Sequence, residues 1–232
     1  MDANMTEESH GTQDAKCEYP LELRDVSVVY PDGFRALDSV SFSLEPAFIM
    51  SVLGPSGSGK STLLRAIAGL EKLAQGTVFM QGQDVTNVPT HKRPCTMVFQ
   101  DSQLFPHRTV AGNIAYGLAG MGLSRAEVAE RVKELLELVD LKGFGERSIS
   151  TLSGGQAGRI ALARSLARQT GLILLDEPLS ALDTDLRMSL GRDVREILKQ
   201  SGTAALYVTH DVEEAKTLGV GIVRVVKGSL IQ

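Results

Sequence analysis

The chain has 232 residues, 43% hydrophobic and 22% charged, with a net charge of −4, which suits one sizeable α/β domain or two small ones. That acidic balance offers no electrostatic footprint for nucleic acid, and two distant cysteines, Cys17 and Cys95, exclude a disulfide framework or a structural zinc site and read as inert thiols. No run approaches about 18 uncharged apolar residues, and the acidic, polar start MDANMTEESHGTQDAK is unlike a signal peptide, so the expected location is the cytosol.

Residues 1–18 lack hydrophobic periodicity and read as a disordered N-terminal arm. From Leu21, LELRDVSVVY and ALDSVSFSLE alternate as antiparallel strands around the turn PDG. FIMSVL is instead continuously apolar, as in a parallel-sheet strand covered on both faces, and TLLRAIAGL follows as a helix. GTVFMQGQDV gives a strand and turn, and TMVFQ (96–100) a further buried strand. DSQLFPHRTVAGNIAYGLAGMG carries turn residues and no clean strand. SRAEVAERVKELLELVDLKGF is an amphipathic helix with a Ser124/Glu127 capping box and Val128, Val132, Leu135, Leu136 and Val139 on one face. Residues 103–165 therefore read as a helical insert in an α/β domain over 19–232. GLILLDEP and AALYVTHD are two more apolar strands. They flank a helix with Leu186, Leu190, Val194, Ile197 and Leu198, and the helix DVEEAKTLG and strand GIVRVV close the chain.

Chemistry concentrates in GPSGSGKST, running Gly54, Pro55, Ser56, Gly57, Ser58, Gly59, Lys60, Ser61, Thr62. It fits G-x-x-x-x-G-K-[ST] between a buried strand and a helix, where glycines let backbone N–H groups wrap a phosphate, a lysine neutralises β/γ charge and a Ser hydroxyl binds Mg²⁺. Asp176, at the end of LILLD, suits a magnesium carboxylate, and Glu177 is placed to orient or deprotonate an attacking water. His210, at another strand end, is either a polar turn residue or a group that reaches the γ-phosphate. Gln100 is either a strand-end amide or a ligand to metal or water. Tyr30 is either a core aromatic or a face stacked on adenine. In LSGGQAGRIALARSLARQ, Ser153 and Gln156 form a second capping box, yet Gly154 and Gly155 lie between them. Each glycine costs about 1 kcal/mol against Ala, which suggests a ligand approaching bare N–H groups.

With GPSGSGKST, Gln100, LSGGQ, LILLDEP, SALD and His210 in this order, the chain resembles an ABC-family ATPase from about Leu21 to Gln232. The resemblance implies a phosphate-loop NTPase parallel-sheet core with an antiparallel β subdomain and a helical signature subdomain. It implies ATP and Mg²⁺ as cofactors, Tyr30 as the adenine-stacking aromatic and Gln100 as the residue of the loop that senses the transmembrane partner. Asp176 and Glu177 match the magnesium carboxylate and catalytic base, Ser180 to Asp183 the loop that communicates across the dimer, and His210 the switch histidine. Two cassettes of that family sandwich two ATPs head to tail, so Leu152 to Gln156 would complete the partner's site.

The short interval between Lys60 and Ser153 leaves no room for the long coiled coils of the chromosome-organising members. GQDVTNVPTHKRPCTMVFQ and LFPHRTVAGNIAYGL look like the importers for iron, spermidine/putrescine, thiamine, sulfate, molybdate and sugars. The expected protein is an import ATPase on the cytoplasmic face of the membrane, paired with itself or a paralogous ATPase. It would drive a separate permease and, indirectly, serve an extracytoplasmic solute-binding protein, with no nucleic acid involved. The ATPase of a separately encoded exporter and a non-transport clamp or regulator remain alternatives. Leu104, Phe105 and Pro106 are either the surface that receives the permease's coupling helix or a loop packed into the helical insert. Ala157 and Gly158 replace the polar residues that relatives carry before the arginine.

Overall fold

The computed structural model describes residues 19–179 and 184–231. The expected disordered arm, Cys17 and the candidate residue Asp183 with the rest of 180–183 lie outside the described residues. The strands are β1 (Leu21–Val29), β2 (Arg35–Leu44), β3 (Ile49–Leu53), β4 (Gln75–Met80), β5 (Gln83–Asp84), β6 (Thr96–Val98), β7 (Leu172–Asp176), β8 (Ala204–Thr209), β9 (Gly221–Val226) and β10 (Ser229–Ile231). The α-helices are α1 (Lys60–Ala68), α2 (Val110–Gly117), α3 (Arg125–Leu138), α4 (Gly154–Leu166), α5 (Thr184–Ser201) and α6 (Val212–Leu218).

Four strands in the order β2-β1-β4-β5 form an antiparallel sheet, and six in the order β10-β9-β3-β8-β7-β6 form a second sheet. In the second sheet every pairing from β9 to β6 is parallel, and only β10 is antiparallel. Side-chain alternation explains its unbroken apolar runs. On β7, Ile173 and Leu175 join a core with Ile114 of α2, Leu135 of α3, Ile160 of α4 and Leu198 of α5. Leu172 and Leu174 face the opposite way, into a core with Leu63 and Ile67 of α1 and Leu23, Leu37 and Val78 of the antiparallel sheet. The central strands are covered by apolar side chains on both faces, so the solvent-accessible polar groups gather at the strand ends.

The mixed α/β architecture expected from the sequence is the one observed, with four local differences. The strand in TMVFQ stops at Val98, leaving Gln100 in the following turn. Helix α2 was hidden by its glycines. Thr109 caps it, its side chain accepting from the Gly112 N–H, and a Cβ on Gly117 would lie 2.2 Å from the Arg164 carbonyl oxygen, so glycine permits the close approach to α4. Of the apolar residues named in α5, Leu190, Val194, Ile197 and Leu198 are buried, whereas Leu186 is exposed. The three-residue strand β10 is too short to show a period. On α3 both halves of the Ser124/Glu127 capping box form. The Cys95 thiol, whose pKa burial pushes up to about 11, fits an unreactive group.

Candidate active site

Along the sheet β3, β8, β7 and β6 are consecutive neighbours, and each is followed at its carboxyl end by one of the candidate segments: the phosphate loop, His210, Asp176-Glu177 and Gln100. This is the edge at which open α/β sheets bind ligands. Gly57 (φ 77°) and Gly59 (φ 106°) hold the loop in left-handed conformations, and a Cβ on Gly59 would come 2.4 Å from the Ala36 carbonyl oxygen. Gly54 is as tightly enclosed, with the Val225 carbonyl oxygen 2.5 Å from where its Cβ would stand. The resulting cradle leads straight into the N-terminus of α1, which Lys60 opens. The Lys60 ammonium donates to the Pro55 carbonyl at 3.0 Å and stands 3.7 Å from Glu177 Oε1, although the side chain is only 4% exposed. Ser58 Oγ is buried without a hydrogen-bond partner among the described residues, an orphan that suits a polar ligand.

Ser61 Oγ donates to Asp176 Oδ1 at 2.9 Å. Burial raises the Asp176 carboxyl above its ordinary range, the Ser61 hydrogen bond opposes that, and the charge of Glu177 adds to it. Glu177 is turned out of the strand in a left-handed conformation (φ 44°) while its N–H donates to the Val208 carbonyl at 3.1 Å. A non-glycine residue held there costs about 1–3 kcal/mol, a strain that accumulates at working sites. Glu177 Oε2 lies 3.0 Å from His210 Nδ1. With the carboxylate accepting, Nδ1 carries the proton and Nε2 becomes the available nitrogen.

Lys60, Ser61, Asp176 and Glu177 line one cleft of about 460 Å³ with Ser56, Gly57, Gly59, Thr62 and Gln100, and His210 stands behind Glu177 outside that lining. Tyr30 is half-buried at the margin, sharing a hydrogen bond with Thr62 Oγ1 at 3.1 Å. The ring of Phe34, 56% exposed, lines the cleft parallel to that of Tyr30, with centroids 6.4 Å apart. Phe34 is a cleft residue that only the structure identifies, although its place one turn after Tyr30 marks it in the sequence.

Ser153 to Gln156 do not line this cleft. They start α4, where the Ser153 side chain accepts from the Gln156 N–H and the Gln156 side chain from the Ser153 N–H. Gly155 is buried against α5, where an added Cβ would stand 2.8 Å from Leu190 Cδ1 and would push that side chain aside, so packing gives this glycine a second reason besides the expected ligand approach. Gly154 is exposed. Gly158 has open space around it, with nothing within 4 Å of an added Cβ. The expected apolar patch after Gln100 is largely turned inward: Leu104 packs on the core and Phe105 stacks edge-on against Tyr116 at 4.6 Å, leaving Pro106 exposed. Buried Asn113 holds that loop, accepting from the Phe105 N–H and donating to the Phe105 carbonyl.

The family model described as ABC transporter matches residues 37–180. The chain belongs to the ABC transporter ATP-binding family. Membership in the ABC family carries ATP binding with it. The iron(III) ions import ATP-binding protein FbpC of Streptomyces coelicolor is 50% identical over 91% of this chain and 61% of its own length. The protein of the same name in Escherichia coli O157:H7 is 43% identical with the same coverage. The putrescine transport ATP-binding protein PotG of Escherichia coli K12 is 46% identical over 91% of this chain and 56% of its own length. The chain thus spans about three-fifths of the curated relatives it matches. Among solved structures, cbiO1 from Clostridium perfringens, part of the ABC transporter complex cbiONQ, superposes with a TM-score of 0.85 at 25% identity, covering 93% of this chain and 88% of that one. A dimeric ATP-binding cassette bound to ADP and Pi superposes at 0.78 with 28% identity, covering 91% and 97%.

Proposed function

We propose that residues 19–232 form an import ATPase, with 103–165 as its helical insert, that hydrolyses Mg-ATP at a head-to-tail dimer interface. The carrying observation is the ion-pair and hydrogen-bond chain from Lys60 through Glu177 to His210, beside Ser61 and Asp176 in one cleft. Ser61 and Asp176 are an all-oxygen donor pair of the kind Mg²⁺ takes, and Gln100 lines the same cleft. Ser61 and Asp176 would hold the magnesium ion, which would supply positive charge against the charge that develops on the phosphates. Gly54 to Thr62 cradle the phosphates, and Lys60 supplies the fixed positive charge. Tyr30 stacks on the base. Glu177 takes the proton of the attacking water, and His210, its Nδ1 held by Glu177, braces the terminal phosphate through Nε2.

Ser153, Gly154, Gly155 and Gln156 then act on nucleotide held by the opposite subunit, with Asp183 beside them. The subunit sits peripherally on the cytoplasmic face of the membrane, driving permease subunits supplied by a binding protein outside. Relatives named for iron(III) and putrescine import support an iron or polyamine solute. The test is Mg²⁺-dependent ATPase activity, followed by uptake into vesicles containing the permease. Hydrolysis without uptake of either solute would overturn the solute assignment, and no nucleotide binding at all would overturn the whole reading.

A further inference from the structure

Behind His210 lies a polar cluster that the phosphate chemistry does not use. Glu214, on α6, is 2% exposed, and its two carboxylate oxygens accept the hydroxyls of Tyr207 and Thr209, each fully buried on β8. Tyr207 and Thr209 are two residues apart, so both project to the same side of the strand, toward α6. The Thr209 hydroxyl also accepts from the Asp211 N–H at 3.0 Å. Asp211 in turn caps α6, accepting from the N–H groups of Glu213 at 2.8 Å and Glu214 at 3.0 Å, and pairs with Arg187 at 3.3 Å. The loop from Thr209 to Glu214 is closed on itself, while the His210 side chain, 48% exposed, emerges from it to meet Glu177.

A buried carboxylate held only by hydroxyls is an expensive way to join a strand to a helix, since well-packed apolar residues serve that purpose as well or better. A fully satisfied polar network instead fixes one geometry. We propose that Glu214 is a positioning residue for His210: through Tyr207 and Thr209 it sets the backbone of the turn, and so the place of the imidazole against Glu177. This inference rests on the hydrolytic role given to His210 above.

The test measures ATP affinity, kcat and thermal stability of the full chain for paired variants. Thr209→Val keeps the shape and removes the hydroxyl, whereas Thr209→Ser keeps the hydroxyl. The expected result is a loss of about tenfold or more in kcat for Thr209→Val, with ATP affinity unchanged and Thr209→Ser within about twofold of the parent. Glu214→Gln should behave as Thr209→Val does. In a His210→Ala background neither change should cost further rate, because the group being positioned is gone. The His210 ring resonances, assignable among four histidines, should move in Thr209→Val and not in Thr209→Ser, a readout independent of turnover. Equal rates for the Val and Ser variants, undisturbed His210 resonances in Thr209→Val, or the same fold-loss with and without His210 would overturn the inference while leaving the ATPase reading intact. A parent chain that binds ATP and hydrolyses none would instead overturn the ATPase reading. Should Glu214→Gln fail to fold, the Thr209 pair still decides.

Discussion

Lys60, Ser61, Asp176, Glu177 and His210 reach one another across adjacent strands, whereas among the described residues the side chains of Ser153 and Gln156 bond only each other's backbone at the start of α4. In the first group Lys60 is buried, Asp176 and Glu177 are half-buried, and all five side chains are already paired. The second presents an exposed serine and an exposed glycine around one buried glycine. Under the proposed function, the difference divides the work: nucleotide capture is built within one chain, and the exposed start of α4 acts on a second one. Local physics agrees: the helix N-terminus carries partial positive charge, and Gly154 leaves its first N–H unshielded.

Four tests break or sharpen that contrast. Glu177→Gln removes the base from the preassembled half; kcat should fall by about a hundredfold or more with ATP still bound and the dimer trapped. Turnover at the parent rate would move the base elsewhere. Ser153→Arg attacks the outward half, and dimer-dependent hydrolysis should fall by about a hundredfold while the monomer binds nucleotide as before. Because it also costs the helix cap about 1 kcal/mol, Ser153→Asn, which keeps a capping oxygen, is the control for folding. Loss of monomer binding would contradict the division of the site.

The glycines of α4 supply a smaller, signed effect. Gly155→Ala should destabilise the fold by about 1–3 kcal/mol, because its Cβ meets Leu190. Gly158→Ala should stabilise it by about 1 kcal/mol, since nothing lies within 4 Å. Equal shifts in a denaturant titration would show that packing does not distinguish them. Smallest of all, Ala157→Gln combined with Gly158→Gln should tighten the ATP-bound dimer of the Glu177→Gln chain by several-fold, measured by sedimentation; no gain would mean that the two missing polar residues contribute nothing.

Much of this was legible in the residues. The phosphate loop shows itself because only glycine tolerates its conformations and because a buried strand must precede it. The apolar runs of β3, β7 and β8 announce a sheet covered on both faces, and the capping boxes of α3 and α4 mark their own helix starts. Helix α2 was not legible, because Gly112 and Gly117 read locally as turn residues, while the need for Gly117 comes from the Arg164 carbonyl on a distant helix. The packing reason for Gly155 was hidden likewise, its neighbour Leu190 being on another element. The Glu214 cluster was invisible in a different way: each member reads as an ordinary strand or helix residue until β8 and α6 are packed together.

From its own order of residues the chain determines which groups exist, which strongly periodic segments are strands or helices and where α3 and α4 start, because hydrophobic period, glycine conformation and capping act over a few residues. Tertiary structure alone decides who meets whom. Ser61 bonds Asp176 across 115 positions, and the sheet order β3-β8-β7-β6 carries His210 and Glu177 to the same edge. Strand order depends on burying both faces of the sheet together, a balance summed over the whole core.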